Sequence, residues 1–235
     1  MGFWSFVGGL FRDASGAPTP APLPLAAPIE PSPSYVATEP LPPIPAPAPI
    51  PIPTPSAWLS LCMPMTKHFE SCYLIAYCDP ASPMARALQG AGLWHNYLND
   101  RKWAEHPGIN LLDGRPWTVG YGATRNGIGR DTVWTQAQAD NDLRDKLIEE
   151  GSAVDRLVTV PLLPQEKAAL VDWSYNEGEG HLAESTMLKR LNDHNVGESL
   201  SEMLTWDKAG GKVEEGLLLR REANKRMFTT GKWQA

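Results

Sequence analysis

Glu70 and Asp79 stand nine positions apart in the stretch HFESCYLIAYCDP. A Glu-x8-Asp spacing arises about once by chance in a chain of this size, so the spacing alone assigns nothing. The surroundings of the two carboxyls differ, and that difference is chemically useful. Glu70 follows Phe69 and precedes an apolar run with Leu74, Ile75 and Tyr77. A poorly solvated carboxyl keeps its proton to higher pH, which is what a general acid requires. Asp79 lies between Cys78 and Pro80, a turn setting in which a carboxylate stays wet and ionised, able to act as a base or to orient water. Two carboxyls in unlike environments form the pattern expected for glycoside hydrolysis.

The elements that must position such a pair are mostly helical. Thr135 and Gln138 make a capping box, and Leu143, Leu147, Val154 and Leu157 follow near helical spacing. Pro164 suits a first helical turn, and QEKAALVDWSYN runs on to Gly178 as a stop. Ser185 is an N-cap for TMLKRLND, and a last helix is expected from about Leu217 to Thr229, ending at Gly231. One β signal stands out: WTVGYGAT (117–124), whose glycines suggest a short twisted hairpin. The expected fold class is α+β, predominantly helical, with a small β-hairpin lobe.

Composition divides the chain. From Pro18 to Pro55, sixteen of thirty-eight positions are proline, and there is no Lys or Arg from Asp13 to Thr66. Proline lacks the donor that helix and sheet need, so this stretch reads as an extended polyproline II spacer. Three regions are expected: an apolar docking peptide (1–13), a Pro-rich linker (14–64) and one domain (65–235). The opening MGFWSFVGGLFRD is too short to span a bilayer, and it lacks the basic start of a signal peptide and the myristoylation pattern. It is expected to dock on a virion or membrane-surface partner. The net charge is −6, and about −4 of it falls after the arm, which argues against nucleic acid as a partner. Cys62, Cys72 and Cys78 read as buried thiols in a reducing compartment rather than a disulfide framework. His95, Asp100 and His106 do not make a metal pattern, and neither a metal nor a cofactor is expected.

FESCYLIAYCDP followed by WTVGYGAT resembles the phage-type (T4-like) lysozymes, a muramidase family. The resemblance continues through VPLLPQEKAALVDWSYNEG, STMLKRLN and WDKAGGKVEEGLLLRREANKRMF, and it covers about residues 65–231. It implies a lysozyme-like domain, monomeric, that hydrolyses the β-1,4 bond between N-acetylmuramic acid and N-acetylglucosamine in peptidoglycan, with inversion. Carried over by position, Glu70 would be the general acid, Asp79 would place or activate water, and Thr118 would hold that water. Tyr121 and Asn176 are the implied substrate-binding residues; helix capping is the alternative for Asn176.

The chain departs from the family pattern in several places. Ser71 stands where Gly is usual after the catalytic Glu, Ala123 replaces His in GYGHT, and Asn224 replaces a Glu after the Arg-Arg pair. Asp79 and Thr118 are thirty-nine apart where about six is usual, so an insertion lies at about 81–115. Asp113, five before Thr118, is therefore a rival water-holder; Asp79 is favoured because the Glu-to-Asp spacing and the preceding Ala-Tyr are intact, and Asp113 before Gly114 is readily explained as a turn residue. Within the insertion, residues 84–106 have helical spacing with one apolar face. This is either a helix packed on the domain or a lid with Trp94, Tyr97 or Trp103 as a sugar platform. Arg220 and Arg221 are expected in structural ion pairs. Three readings remain open: an endolysin held in the host cytoplasm until lysis and then acting on the wall, a virion-mounted lysozyme tethered by its arm, and a lytic transglycosylase.

Overall fold

The computed structural model describes residues 56–100 and 107–234. The expected docking peptide (1–13), most of the expected linker (14–64), Trp103 and His106 lie outside the described residues.

Helix α1 (Ala57–Phe69) starts inside the segment assigned to the linker, so the fold begins before the expected boundary at 65. Pro64 sits within α1 and forfeits a helical hydrogen bond, at a cost of about 3 kcal/mol. Leu59, Cys62, Met65 and Thr66 are all buried, and this face packs on helix α6 (Pro164–Glu177). Burying side chains of that size offsets the proline cost.

Strand β1 (Tyr73–Cys78) occupies the apolar run between the two carboxylates and pairs antiparallel with β2 (Trp117–Gly120). Cys78 pairs with Trp117, Tyr77 with Thr118, and Tyr73 with Gly120 after an irregularity in register. The expected hairpin at 117–124 is present as a tight turn, closed by a bridge between Val119 and Ala123. Its main partner is β1, however, which continuous apolar character did not reveal. A further bridge joins Ile75 to Val133 on the other side of β1.

The insertion forms helices α2 (Pro83–Gly90), α3 (Trp94–Asp100) and α4 (Pro107–Asn110). The apolar face expected over 84–106 is thus broken, at Gly92, whose φ of 70° is open to glycine and strained for other residues. Met84, Ala85, Leu88, Trp94, Tyr97 and Leu98 share a core with Ala76, Cys78, Trp117 and Val119 of the sheet. Trp94 and Tyr97 are buried, and the Tyr97 hydroxyl accepts from the Cys78 N–H at 2.9 Å. They are packing residues behind the sheet, not a sugar platform.

The second core is helical. It is built on α1, α5 (Gln136–Leu157) and α6, with α7 (Glu179–Glu184), α8 (Thr186–Asn192), α9 (Val196–Leu204) and α10 (Glu215–Thr230) around them. A small antiparallel pair, β3 (Lys208–Ala209) and β4 (Lys212–Val213), precedes α10. The caps match the expectations: Thr135 and Gln138 form a complete capping box, Pro164 opens α6, Ser185 accepts from the Leu188 N–H, and Gly231 ends α10 in the left-handed conformation. Gly151 of α5 admits the Trp58 ring, which would stand 2.7 Å from any Cβ placed there.

Candidate active site

Glu70 caps the C-terminus of α1, where its N–H still donates to the Thr66 carbonyl and the chain turns out towards β1. It is 8 % exposed. Arg220 of α10, itself buried, donates from Nη1 to Glu70 Oε1 at 2.6 Å. Burial pushes the Glu70 carboxyl above the usual carboxylate range, and the opposing pull of Arg220 does not cancel it.

Arg220 has a second partner. Its Nε and Nη2 donate to Oδ2 and Oδ1 of Asp172 on α6, at 3.1 and 2.9 Å. Asp172 is fully buried and also accepts from Thr66 Oγ1 at 2.8 Å and Asn224 Nδ2 at 2.7 Å. Burial works against its charge, but Arg220, Asn224 and Thr66 outweigh it and hold the carboxyl below its ordinary value. Arg221, also buried, donates to Glu177 at 2.8 Å, to the Trp206 carbonyl at 3.2 Å and to the side-chain oxygens of Asn176 and Asn224. Burial, followed by repulsion from Arg220, lowers its pKa to about 10. The expected structural ion pairs of Arg220 and Arg221 are therefore present, and one of them holds Glu70.

Asp79 follows the last residue of β1. Its N–H donates to the carbonyls of Gly114 and Pro116, extending the ladder by one position. Its Oδ1 accepts from the Ala81 N–H at 2.7 Å. At 6 % exposure it is not the wet turn residue expected. Because Tyr77 pairs with Thr118, the two-residue period places Asp79 and Thr118 on one face of the ladder. Such diagonal neighbours lie roughly 7–8 Å apart. The Thr118 hydroxyl is buried and bonds the Thr124 hydroxyl at 2.8 Å.

Asp113 is placed differently. Its side chain is 49 % exposed and clamped by Arg115, whose Nε and Nη2 donate to its two oxygens at 3.0 and 2.9 Å. Those bonds hold its pKa down to about 2. This is a surface turn with its own cation.

Tyr121 is buried at the turn after β2. Its hydroxyl donates to Asp140 at 3.2 Å and accepts from Gln136 at 3.0 Å. Its carbonyl accepts from the Tyr175 hydroxyl at 2.7 Å, which ties α6 to the sheet. The Asn176 oxygen faces Arg221, an arrangement that turns its NH2 the other way. Sequence reasoning missed Asp172 and Tyr175. A signal for Asp172 was present: an acid inside the apolar run ALVDWSYN must be paired if it is buried. Among the described residues, no group of three or more His, Cys, Asp or Glu could hold a metal ion, and no helix is long and apolar enough to cross a membrane.

Comparison with known proteins adds the following. The family model described as phage lysozyme matches residues 107–224, a segment that includes Thr118, Tyr121, Asp172, Asn176 and Arg220 and begins after Glu70 and Asp79. An endolysin of Bacillus phage B103 is 38% identical over 115 residues, which cover 49% of this chain and 44% of that protein. An endolysin of Acyrthosiphon pisum secondary endosymbiont phage 1 is 34% identical over 116 residues, 48% of this chain and 79% of that protein. The chain thus spans less than half the length of the Bacillus phage endolysins it matches. Among solved structures, the muramidase domain of SpmX from Asticaccaulis excentricus aligns with a TM-score of 0.53 at 27% identity, covering 74% of this chain and 96% of that one. An endolysin from Escherichia coli O157:H7 phage FAHEc1 aligns with a TM-score of 0.55 at 24% identity, covering 74% and 94%, which shows likeness of fold.

Proposed function

This chain belongs to the phage lysozyme family, and on that premise we propose that its domain is a muramidase hydrolysing the N-acetylmuramic acid to N-acetylglucosamine β-1,4 bond of peptidoglycan. The observation that carries the reading is the buried Glu70 carboxyl, oriented by Arg220 where α1 passes into the sheet that presents Asp79 and Thr118. A carboxyl kept above the usual range retains a proton to give. Arg220 donates to Oε1, and the carboxyl passes its proton to the glycosidic oxygen. Asp79 and Thr118, on one face of the ladder, place a water that attacks the anomeric carbon from the opposite side, giving inversion. Asp79 is the favoured water-holder because Asp113 is committed to Arg115 at the surface. The proposed part of Asn176 is to offer its NH2 to a sugar. That of Tyr121 is to form the cleft wall, since its hydroxyl is engaged with Asp140 and Gln136.

The biological role proposed is that of an endolysin, waiting in the host cytoplasm and cutting the wall at lysis, in line with the names of the matched relatives. The arm is proposed to meet a virion or membrane surface. Because α1 starts at Ala57, the deletion that separates arm from domain is residues 1–55. The truncated protein is expected to turn over soluble wall fragments at the full-length rate; a truncated protein that folds but is inactive would make the arm part of the catalytic unit.

The residue assignments are tested by comparing Asp79→Asn with Asp113→Asn in clearing purified walls. D79N is expected to lose about 10²–10⁴ of the rate, the usual weight of an acid/base group, with D113N within a few-fold of wild type. The reverse ranking would move the water to Asp113.

A further inference from the structure

Val119 and Tyr121 stand two positions apart and belong to different cores. Val119 packs in the core behind the sheet, whereas Tyr121 packs in the helical core. The turn that carries them is therefore a junction between the two halves of the domain. At its base it is closed on itself. Val119 and Ala123 exchange both backbone hydrogen bonds, at 3.0 and 2.9 Å, and the hydroxyls of Thr118 and Thr124 meet at 2.8 Å. Its apex is built from freer residues. Gly120 and Gly122, on either side of Tyr121, take φ of 66° and 101°, and glycine restrains the backbone least.

The apex is gripped from the helical side. The Tyr175 hydroxyl, on α6, donates to the Tyr121 carbonyl at 2.7 Å. Burial, followed by the nearby charge of Glu70, pushes the Tyr175 phenol up, so at neutral pH it keeps the proton it donates. Three residues earlier on α6, Asp172 binds Arg220, which in turn binds Glu70. One turn of helix thus carries both the anchor of the proposed acid and the anchor of the turn that begins at Thr118. The Tyr121 phenol adds a tie to Asp140 and to Gln136 of α5. That tie runs through a rotatable side chain, whereas Tyr175 grips the backbone itself.

We propose that Tyr175 is a positioning residue: its hydroxyl pins the 118–124 turn to α6 and so fixes the gap between Glu70 and the water-holding Thr118. The inference rests on the muramidase reading for the roles of Glu70 and Thr118, while the pin itself does not depend on it. Inverting hydrolysis needs room for one water between acid and base, with carboxyls about 6.5–9.5 Å apart. Misplacing a reacting group by about 1 Å costs on the order of a hundredfold in rate. A turn left to drift on its two glycines would therefore lose rate before it lost affinity.

The test is Tyr175→Phe in the full chain, which removes one oxygen and keeps the ring. On soluble peptidoglycan fragments, kcat is expected to fall about ten- to a hundredfold with KM within about twofold. Amide hydrogen exchange supplies a second readout that needs no turnover. The Val119 and Ala123 amides are expected to exchange about two- to tenfold faster in Y175F, the weight of one hydrogen bond, with the amides of α6 as in wild type. An unchanged kcat overturns the proposal. So does a fall in kcat that merely follows the folded fraction, which is what a purely structural Tyr175 would give. Unchanged exchange at Val119 and Ala123 overturns it as well. Should Y175F fail to fold, exchange in the wild type decides. The two turn amides are then expected to be protected as strongly as those of α6, and opening more than about tenfold more readily than α6 sinks the idea. A wild-type chain that cleaves no peptidoglycan refutes the muramidase reading, and the exchange measurement still decides whether Tyr175 pins the turn.

Discussion

Glu70→Gln is expected to abolish wall clearing, with a rate loss of about 10²–10⁴-fold, while the protein folds as wild type. The amide keeps the shape of the carboxyl and can still accept from Arg220 Nη1, so the geometry around α1 and α10 survives. What is lost is the proton for the leaving oxygen. The stability of E70Q separates this account from a structural one. Burial raises the folded-state pKa of Glu70 above its unfolded value. The folded state therefore binds the proton more tightly, and an ionised Glu70 costs stability above the unfolded pKa of about 4.3. E70Q removes that cost and is expected to melt at or above the wild-type temperature at pH 7, with the gap closing as the pH falls through the raised folded-state pKa towards about 4.3. A proposed acid that is held at the expense of stability fits the usual trade-off between stability and activity. Circular dichroism melts across pH 4–8, paired with turbidity assays, check both halves. An E70Q protein that clears walls normally would remove Glu70 from the mechanism.

Arg220→Met is expected to cost about 3–5 kcal/mol, the range for breaking a buried ion pair on one side. Methionine fills much of the same volume but leaves Asp172 fully buried with Thr66 and Asn224 as its side-chain donors among the described residues, and takes the Arg220 bond from Glu70. Against a domain stability of roughly 5–15 kcal/mol, that is a large fraction. The sign with pH is fixed by Asp172. In wild type its folded pKa lies below its unfolded value, so it stabilises at neutral pH and that contribution fades as pH falls. Without Arg220 the same carboxyl is a buried unpaired charge, its folded pKa rises, and the deficit of R220M should be largest near pH 7 and narrow towards about pH 4. Urea unfolding midpoints at the two pH values measure this. A deficit below about 1 kcal/mol at neutral pH would mean that the pair is solvated, as surface pairs are.

The helical part of the fold was legible because its signals are local. Thr135, Pro164, Ser185 and Gly231 each mark a helix end through a short-range constraint, and each sits at the expected end. The opposite case is β1. YLIAYC is a continuous apolar run, which periodicity cannot distinguish from a buried helical segment, and its partner Trp117–Gly120 lies beyond the insertion. Pairing across that separation depends on tertiary packing, here the core that α2 and α3 build behind the sheet. Helix α1 was hidden for another reason: Pro64 and the absence of charge before Lys67 made it look like the end of the Pro-rich arm. In the candidate site, Glu70, Asp79 and Thr118 were reachable from residue type and resemblance. Asp172 showed only as an acid within an apolar run; its partner, Arg220, lies forty-eight residues away and was not legible.

The central claim is hydrolysis of the glycosidic bond, and the most direct measurement is mass spectrometry of the fragments released from purified peptidoglycan in oxygen-18 water. Attack by water predicts fragments ending in reducing N-acetylmuramic acid, each new end carrying one heavy oxygen. Fragments with 1,6-anhydro ends and no label, or walls left intact by the folded protein, would contradict it.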